Sequence, residues 1–123
     1  MTGECLTTIF HIAETPDWNA ALKQGTYKPA GFEKDDFIHF STREQVSATA
    51  ERYYAGRREL LLLEVDDTDV QDCLRYEASP SGELFPHIYR TLPVTMVKVV
   101  RPLILGPDGS FSWPVSPNEL DRI

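Results

Sequence analysis

The spacing of apolar residues along this chain separates strands from helices. Thr7 to Ala13 (TTIFHIA) is a run of β-branched and aromatic residues and predicts a first strand. A helix start follows, with Thr15 as N-cap, Pro16 at the first helical position, and Trp18, Ala21 and Leu22 at helical spacing. Gly25 is placed to end that helix in a left-handed conformation, Thr26 to Lys28 reads as a short strand, and Pro29 to Asp36 reads as a polar loop. Phe37 to Phe40 (FIHF) predicts a second strand. A second helix begins after it, because capping-box spacing is met twice, by Ser41 with Glu44 and by Thr42 with Gln45. Val46, Ala50, Tyr53 and Tyr54 fall along one face of that helix, and Gly56 supplies its stop.

Glu59 to Val65 (ELLLLEV) is a continuous apolar run too short for a buried helix, so it predicts a central strand covered on both faces. Asp66 to Asp72 is acidic and turn-like, with one helical turn from Thr68. Leu74 to Glu77 is a short strand and Ser79 to Glu83 a loop. Phe85 to Tyr89 (FPHIY) is extended, since the residue before a proline is pushed out of the helical region. Met96 to Leu105 holds the last long strand, and Pro102 marks it as an edge or a bulge. Gly106 to Gly109 is a turn leading to Phe111 to Trp113, and the tail from Pro114 is proline-rich. Two helices among the first strands, followed by several strands, predict an α+β domain with a mixed sheet rather than a doubly wound parallel one. Its expected bounds are residues 7–113, between an N-terminal tail of residues 1–6 and a C-terminal tail of residues 114–123.

Composition narrows what such a domain does. The 123 residues are 41% apolar and 25% charged, an ordinary globular balance. A net charge of -7 argues against the phosphate-neutralising surface of a duplex nucleic-acid binder and against binding an anionic membrane. It leaves room for a local basic pocket, and so for a small nucleotide or an RNA end. Cys5 and Cys73 lack metal-ligand spacing and read as reduced thiols. Met1 to Thr8 has no signal-peptide pattern and no apolar run reaches the ~20 residues of a membrane span, so the cytoplasm is the expected location. There is no glycine-rich phosphate loop, zinc-finger spacing or nucleophile elbow.

What remains as candidate chemistry is three histidines, His11, His39 and His87, each in an extended segment flanked by apolar residues. An imidazole exchanges a proton near neutral pH and also serves as a structural hydrogen-bonding group or a metal ligand. A three-histidine metal site, and with it a metal-dependent hydrolase, is one option, although nothing in the spacing enforces it and no residue is assigned as a metal ligand. Ser41, two residues past His39, is a nucleophile candidate or simply a helix cap. Further ligand contacts are sought at Thr42, Gln45, Tyr54 and Tyr89, at Glu77 as a pocket carboxylate, and at Arg90 as a phosphate contact.

In order, the pieces IFHIAETPDWNAALKQGTY, FIHFSTREQVSATAERYY, LLLLEVD, LRYE and FPHIYRTLPV resemble a bacterial family of small proteins, the domain-of-unknown-function family nine-fifty-two. That family carries no assigned activity to transfer. More remotely, the chain is similar to the ADP-ribosyltransferase fold, which implies a small split sheet holding a dinucleotide such as NAD in a cleft. In that fold a first-strand histidine anchors a ribose, and His11 matches that position. FIHFST places His39 where a tyrosine shapes the nicotinamide pocket. FPHIY falls at the catalytic glutamate strand, but offers Phe85, Pro86 and His87, with Glu83 nearby in a loop. Related RNA 2'-phosphotransferases work without that glutamate, although this chain lacks their dense arginine set. The resemblance therefore implies a nucleotide cleft in which His87 donates a proton or meets a phosphate, supported by Ser41 and Tyr89. The alternative it leaves is a non-catalytic interaction module on the same fold.

Overall fold

In a computed structural model of the chain, residues 7–106 and Phe111 are described. Cys5, both expected tails, the centre of the Gly106–Gly109 turn and Trp113 lie outside the described residues. In chain order the first half holds β1 (Thr8–Glu14), α1 (Thr15–Gln24), β2 (Thr26–Tyr27), α2 (Phe32–Asp35), β3 (Ile38–His39) and α3 (Arg43–Tyr53). The second half holds β4 (Leu60–Asp66), a 3-10 turn (Asp67–Val70), β5 (Leu74–Ala78), β6 (Leu84–Ile88), β7 (Leu92–Pro93), a second 3-10 turn (Val94–Met96) and β8 (Val97–Leu103).

Among the described residues three small sheets form, in the orders β1-β4-β8, β3-β6-β5 and β2-β7. Every strand pair is antiparallel, which corrects the expectation of a mixed sheet. Strand direction is a property of pairings between distant segments, and helices between strands suggest parallel crossovers without requiring them. Here α1 leads only into the short β2, and α3 leads β3 into β4, which belongs to a different sheet. The α+β class stands, with three helices among the described residues instead of the expected two.

The third helix, α2, sits inside the expected polar loop and packs Phe32 against the core. Helix α1 starts after Glu14, one residue before the expected cap at Thr15, whose hydroxyl instead donates to the Glu59 carbonyl (2.5 Å). Gly25 ends it at φ 86°, as its position predicts. Helix α3 resolves the double capping signal in favour of Thr42 with Gln45. Of its expected apolar face, Val46 and Ala50 are buried, Tyr54 is half-buried, and Tyr53 faces solvent. Leu22 of α1 is likewise exposed.

Strands β1 and β4 alternate their side chains between two cores, so the run LLLLEV is indeed covered on both faces. Ile9, Ala13, Leu63 and Val65 face Trp18 and Ala21 of α1, Tyr27, and Ile38, Phe40 and Ile88 of the second sheet. Phe10, Ile12, Leu60 and Leu62 face Val46 and Ala50 of α3, with Leu103 and Phe111. β8 lies at the edge of its sheet, where Pro102 can be tolerated. Beyond β3 the chain reaches back to β1: Phe10 and Ser41 exchange both backbone hydrogen bonds, at 2.8 and 2.7 Å. That bridge joins the two three-stranded sheets and sets the cleft described next. Among the described residues no helix is long and apolar enough to cross a membrane.

Candidate functional site

Alternation along the β3-β6-β5 sheet builds the site. Residues pointing one way, Ile38, Ile88 and Leu74, pack into the core. Residues pointing the other way are His39 on β3, Phe85 and His87 on β6, and Arg75 and Glu77 on β5, with Phe37 and Tyr89 extending the same face. His39 and His87 are direct cross-strand partners. Phe40 N–H donates to the Pro86 carbonyl (2.9 Å), so by antiparallel alternation the neighbouring 39/87 position is non-hydrogen-bonded, the kind that brings side chains closest.

This face forms one wall of a cleft of about 690 Å³. The opposite wall comes from β1 and the chain after β3, with Phe10, His11, Ile12, Phe40 and Ser41. Phe32, Tyr53, Tyr54 and Phe85 add aromatic surface, and the hairpin residues Ala78 to Pro80 form part of the rim. Arg57, which lies over the Tyr54 ring at 5.9 Å, is paired with Glu14 at 2.7 Å. Clefts of about 300–1,000 Å³ lined mainly by apolar side chains with a few convergent polar groups are the usual shape of a small-molecule site.

All three histidines line this cleft, but their environments differ. His11 is buried, its Nδ1 2.6 Å from the His39 carbonyl oxygen and its Nε2 2.8 Å from the Tyr27 hydroxyl. A carbonyl only accepts, so Nδ1–H donates to it and Nε2 accepts the tyrosine proton. Both ring nitrogens are thereby committed to protein, and His11 presents only ring carbons to a ligand. Burial pushes its pKa down to about 4, which keeps it neutral. Burial, followed by the nearby Asp17 carboxylate, raises the Tyr27 phenol well above its ordinary value, so it stays a donor.

His39 and His87 are held from outside. His39 Nε2 lies 2.9 Å from Asp35 Oδ2, and His87 Nδ1 lies 2.8 Å from Glu77 Oε1. Their rings stand edge to face with centroids 5.1 Å apart. Phe37 is stacked on His87 at 4.0 Å and touches His39 and Tyr89. The Tyr89 hydroxyl donates to the same Glu77 oxygen (2.6 Å), and this bond, then that from His87, holds the Glu77 carboxyl below the usual range.

Of the other expected contacts, Ser41, Tyr54 and Glu77 line the cleft. Tyr89 does not, and bonds Glu77 from further along the same sheet face, with Arg75 over its ring at 5.6 Å. Thr42 and Gln45 serve α3: Gln45 Oε1 accepts from the Thr42 N–H, and its Nε2 donates to the Leu84 carbonyl (2.6 Å) and to Glu83 Oε2 (2.9 Å). Arg90 donates to the neighbouring Thr91 carbonyl, away from the cleft. Asp35, Phe37 and Tyr27 were not foreseen. Asp35 stands four residues before His39, a spacing masked by the reading of its segment as loop. Among the described residues no three histidine, cysteine, aspartate or glutamate side chains come together as metal ligands.

A family model described as "Protein of unknown function (DUF952)" matches residues 12–100. The chain belongs to the DUF952 family. Protein CC0527 from Caulobacter crescentus, solved by crystallography as a structural genomics target, is 37% identical, with a TM-score of 0.81 over 86% of this chain and 94% of that one. Its solution NMR structure matches at 37% identity with a TM-score of 0.76, over 85% and 91% of the two chains. No curated protein matches. The match to DUF952 starts within β1, one residue past His11, and ends within β8, and so includes His39, His87 and both carboxylates that hold them.

Proposed function

We propose that this DUF952 protein is a cytoplasmic nucleotide-binding protein whose cleft takes NAD or an ADP-ribose compound, with His39 and His87 as the polar groups that meet the ligand. The observation that carries this reading is the cross-strand imidazole pair on one wall of an aromatic-lined cleft, each ring held by a carboxylate. The resemblance of the His11, His39 and His87 strands to those of the ADP-ribosyltransferase fold supports the choice of ligand. In this reading Phe85 and the Tyr53–Tyr54 pair offer faces for a base. His39 and His87 contact ribose hydroxyls or a phosphate, and either can exchange a proton with the ligand. Glu77 supplies a carboxylate beside His87 from the neighbouring strand, where the His87 strand itself has none. His11 sets the wall without touching the ligand through nitrogen.

Calorimetric titration of the untagged protein with NAD and with ADP-ribose tests the proposal. Saturable binding of one ligand per chain is expected, weakened at least tenfold in His39→Ala while the circular dichroism spectrum is unchanged. Absence of binding at millimolar ligand would overturn it. Incubation with NAD followed by mass spectrometry then separates an enzyme, which alters the ligand, from a binding module, which returns it intact.

A further inference from the structure

The hydrogen bonds around His39 and His87 fix more than their orientation. Carboxylates accept and do not donate, so His39 carries its proton on Nε2 toward Asp35, and His87 carries its proton on Nδ1 toward Glu77. In the neutral rings the lone pairs therefore sit on His39 Nδ1 and His87 Nε2, and neither nitrogen has a hydrogen-bond partner among the described residues. This is the outer arrangement that metal-ligating imidazoles adopt: one nitrogen donates to a carboxylate, which fixes the tautomer, locks the ring and raises the basicity of the other nitrogen. Two such rings are direct cross-strand neighbours here in a non-hydrogen-bonded pair, with centroids 5.1 Å apart and 74° between planes.

We propose that His39 Nδ1 and His87 Nε2 chelate one divalent transition-metal ion at the mouth of the cleft, leaving its other positions to water or to a ligand in the cleft. Imidazole nitrogens suit zinc, nickel and copper, whereas magnesium and calcium want oxygen ligands. Phe37, stacked on His87 at 4.0 Å, buttresses that ring. The pairing of the rings is non-local, which is why the sequence shows no metal-ligand spacing. His11 takes no part, since both its nitrogens are bonded within the protein.

Titration of the untagged protein with zinc or nickel ion alone, in a non-chelating buffer and without nucleotide, tests this independently of the nucleotide reading. One ion per chain is expected. His39→Ala and His87→Ala should abolish saturable binding, while His11→Gln retains it. Asp35→Asn and Glu77→Gln should weaken it by about 10- to 100-fold, the usual cost of losing a carboxylate behind a ligating histidine. Should His87→Ala not fold, copper(II) paramagnetic resonance on the unaltered protein gives the answer: hyperfine coupling to two imidazole nitrogens is expected, and its absence overturns the proposal. Undiminished binding in the His39→Ala protein would overturn it as well. A protein that binds NAD but no ion refutes the metal site alone, and one that binds the ion but no NAD refutes only the nucleotide reading.

Discussion

At the scale of single residues, three histidines that look alike in the sequence do different work. His11 is neutral and fully bonded, linking β1 to the His39 carbonyl and to Tyr27. Its folded pKa of about 4 lies below the ordinary 6.5, so the native state disfavours the protonated ring. The resulting stability is fully present above pH 6.5 and is lost as pH falls toward 4, where the native ring also protonates. The span amounts to about 3 kcal/mol. Urea unfolding at pH 7 and pH 4.5 should show this loss. His11→Gln, which has no proton to gain, should be less stable at pH 7 but should shed most of that pH slope. An unaltered slope in the variant would assign the effect elsewhere. Tyr27→Phe leaves the buried His11 Nε2 without a donor and should cost about 1–3 kcal/mol in the same assay at pH 7.

Elements show how far a sequence reading reaches. The runs TTIFHIA, FIHF, ELLLLEV and FPHIY were visible as strands because β-branched and aromatic residues cluster in them, and their ends fell within about a residue or two of the observed ones. Gly25 and the capping box at Thr42 were legible because they act within one turn of chain. The direction and register of pairing were not. Nothing near His39 announces that His87 will stand opposite it, since that depends on β3 and β6 meeting across a long stretch of intervening chain. The candidate site was thus legible as a set of residues but not as a geometry. Gln45 illustrates the same limit. Its capping role is local, but its amide also holds the start of β6 through Leu84. Gln45→Glu separates the two functions, because glutamate keeps the cap acceptor, loses the amide donor and faces Glu83. Helix content by circular dichroism should be unchanged, while stability falls by about 1–2 kcal/mol and amide exchange quickens in β6. Equal loss of protection in α3 would mean that the cap itself had failed.

For the whole molecule, the cleft lies where two sheets join at the Phe10–Ser41 bridge, and its walls belong to both. A ligand seated there contacts β1 on one side and β3, β5 and β6 on the other, so it binds the assembled fold and not a local segment. Binding to the native state alone raises the free energy of unfolding by about 2.7 kcal/mol at a hundredfold excess over Kd. That increase should appear as an upward shift of a single thermal transition. The histidines should then separate cleanly. His39 is an exposed side chain, so His39→Ala should leave the unliganded midpoint nearly in place, within about 0.5 kcal/mol, and remove the ligand-induced shift. His11→Gln should do the reverse, lowering the unliganded midpoint while a bound ion still raises it. If instead His39→Ala lowered the midpoint as much as His11→Gln, His39 would be part of the framework. The cleft would then have lost the more exposed of the two imidazoles on which both proposals are built.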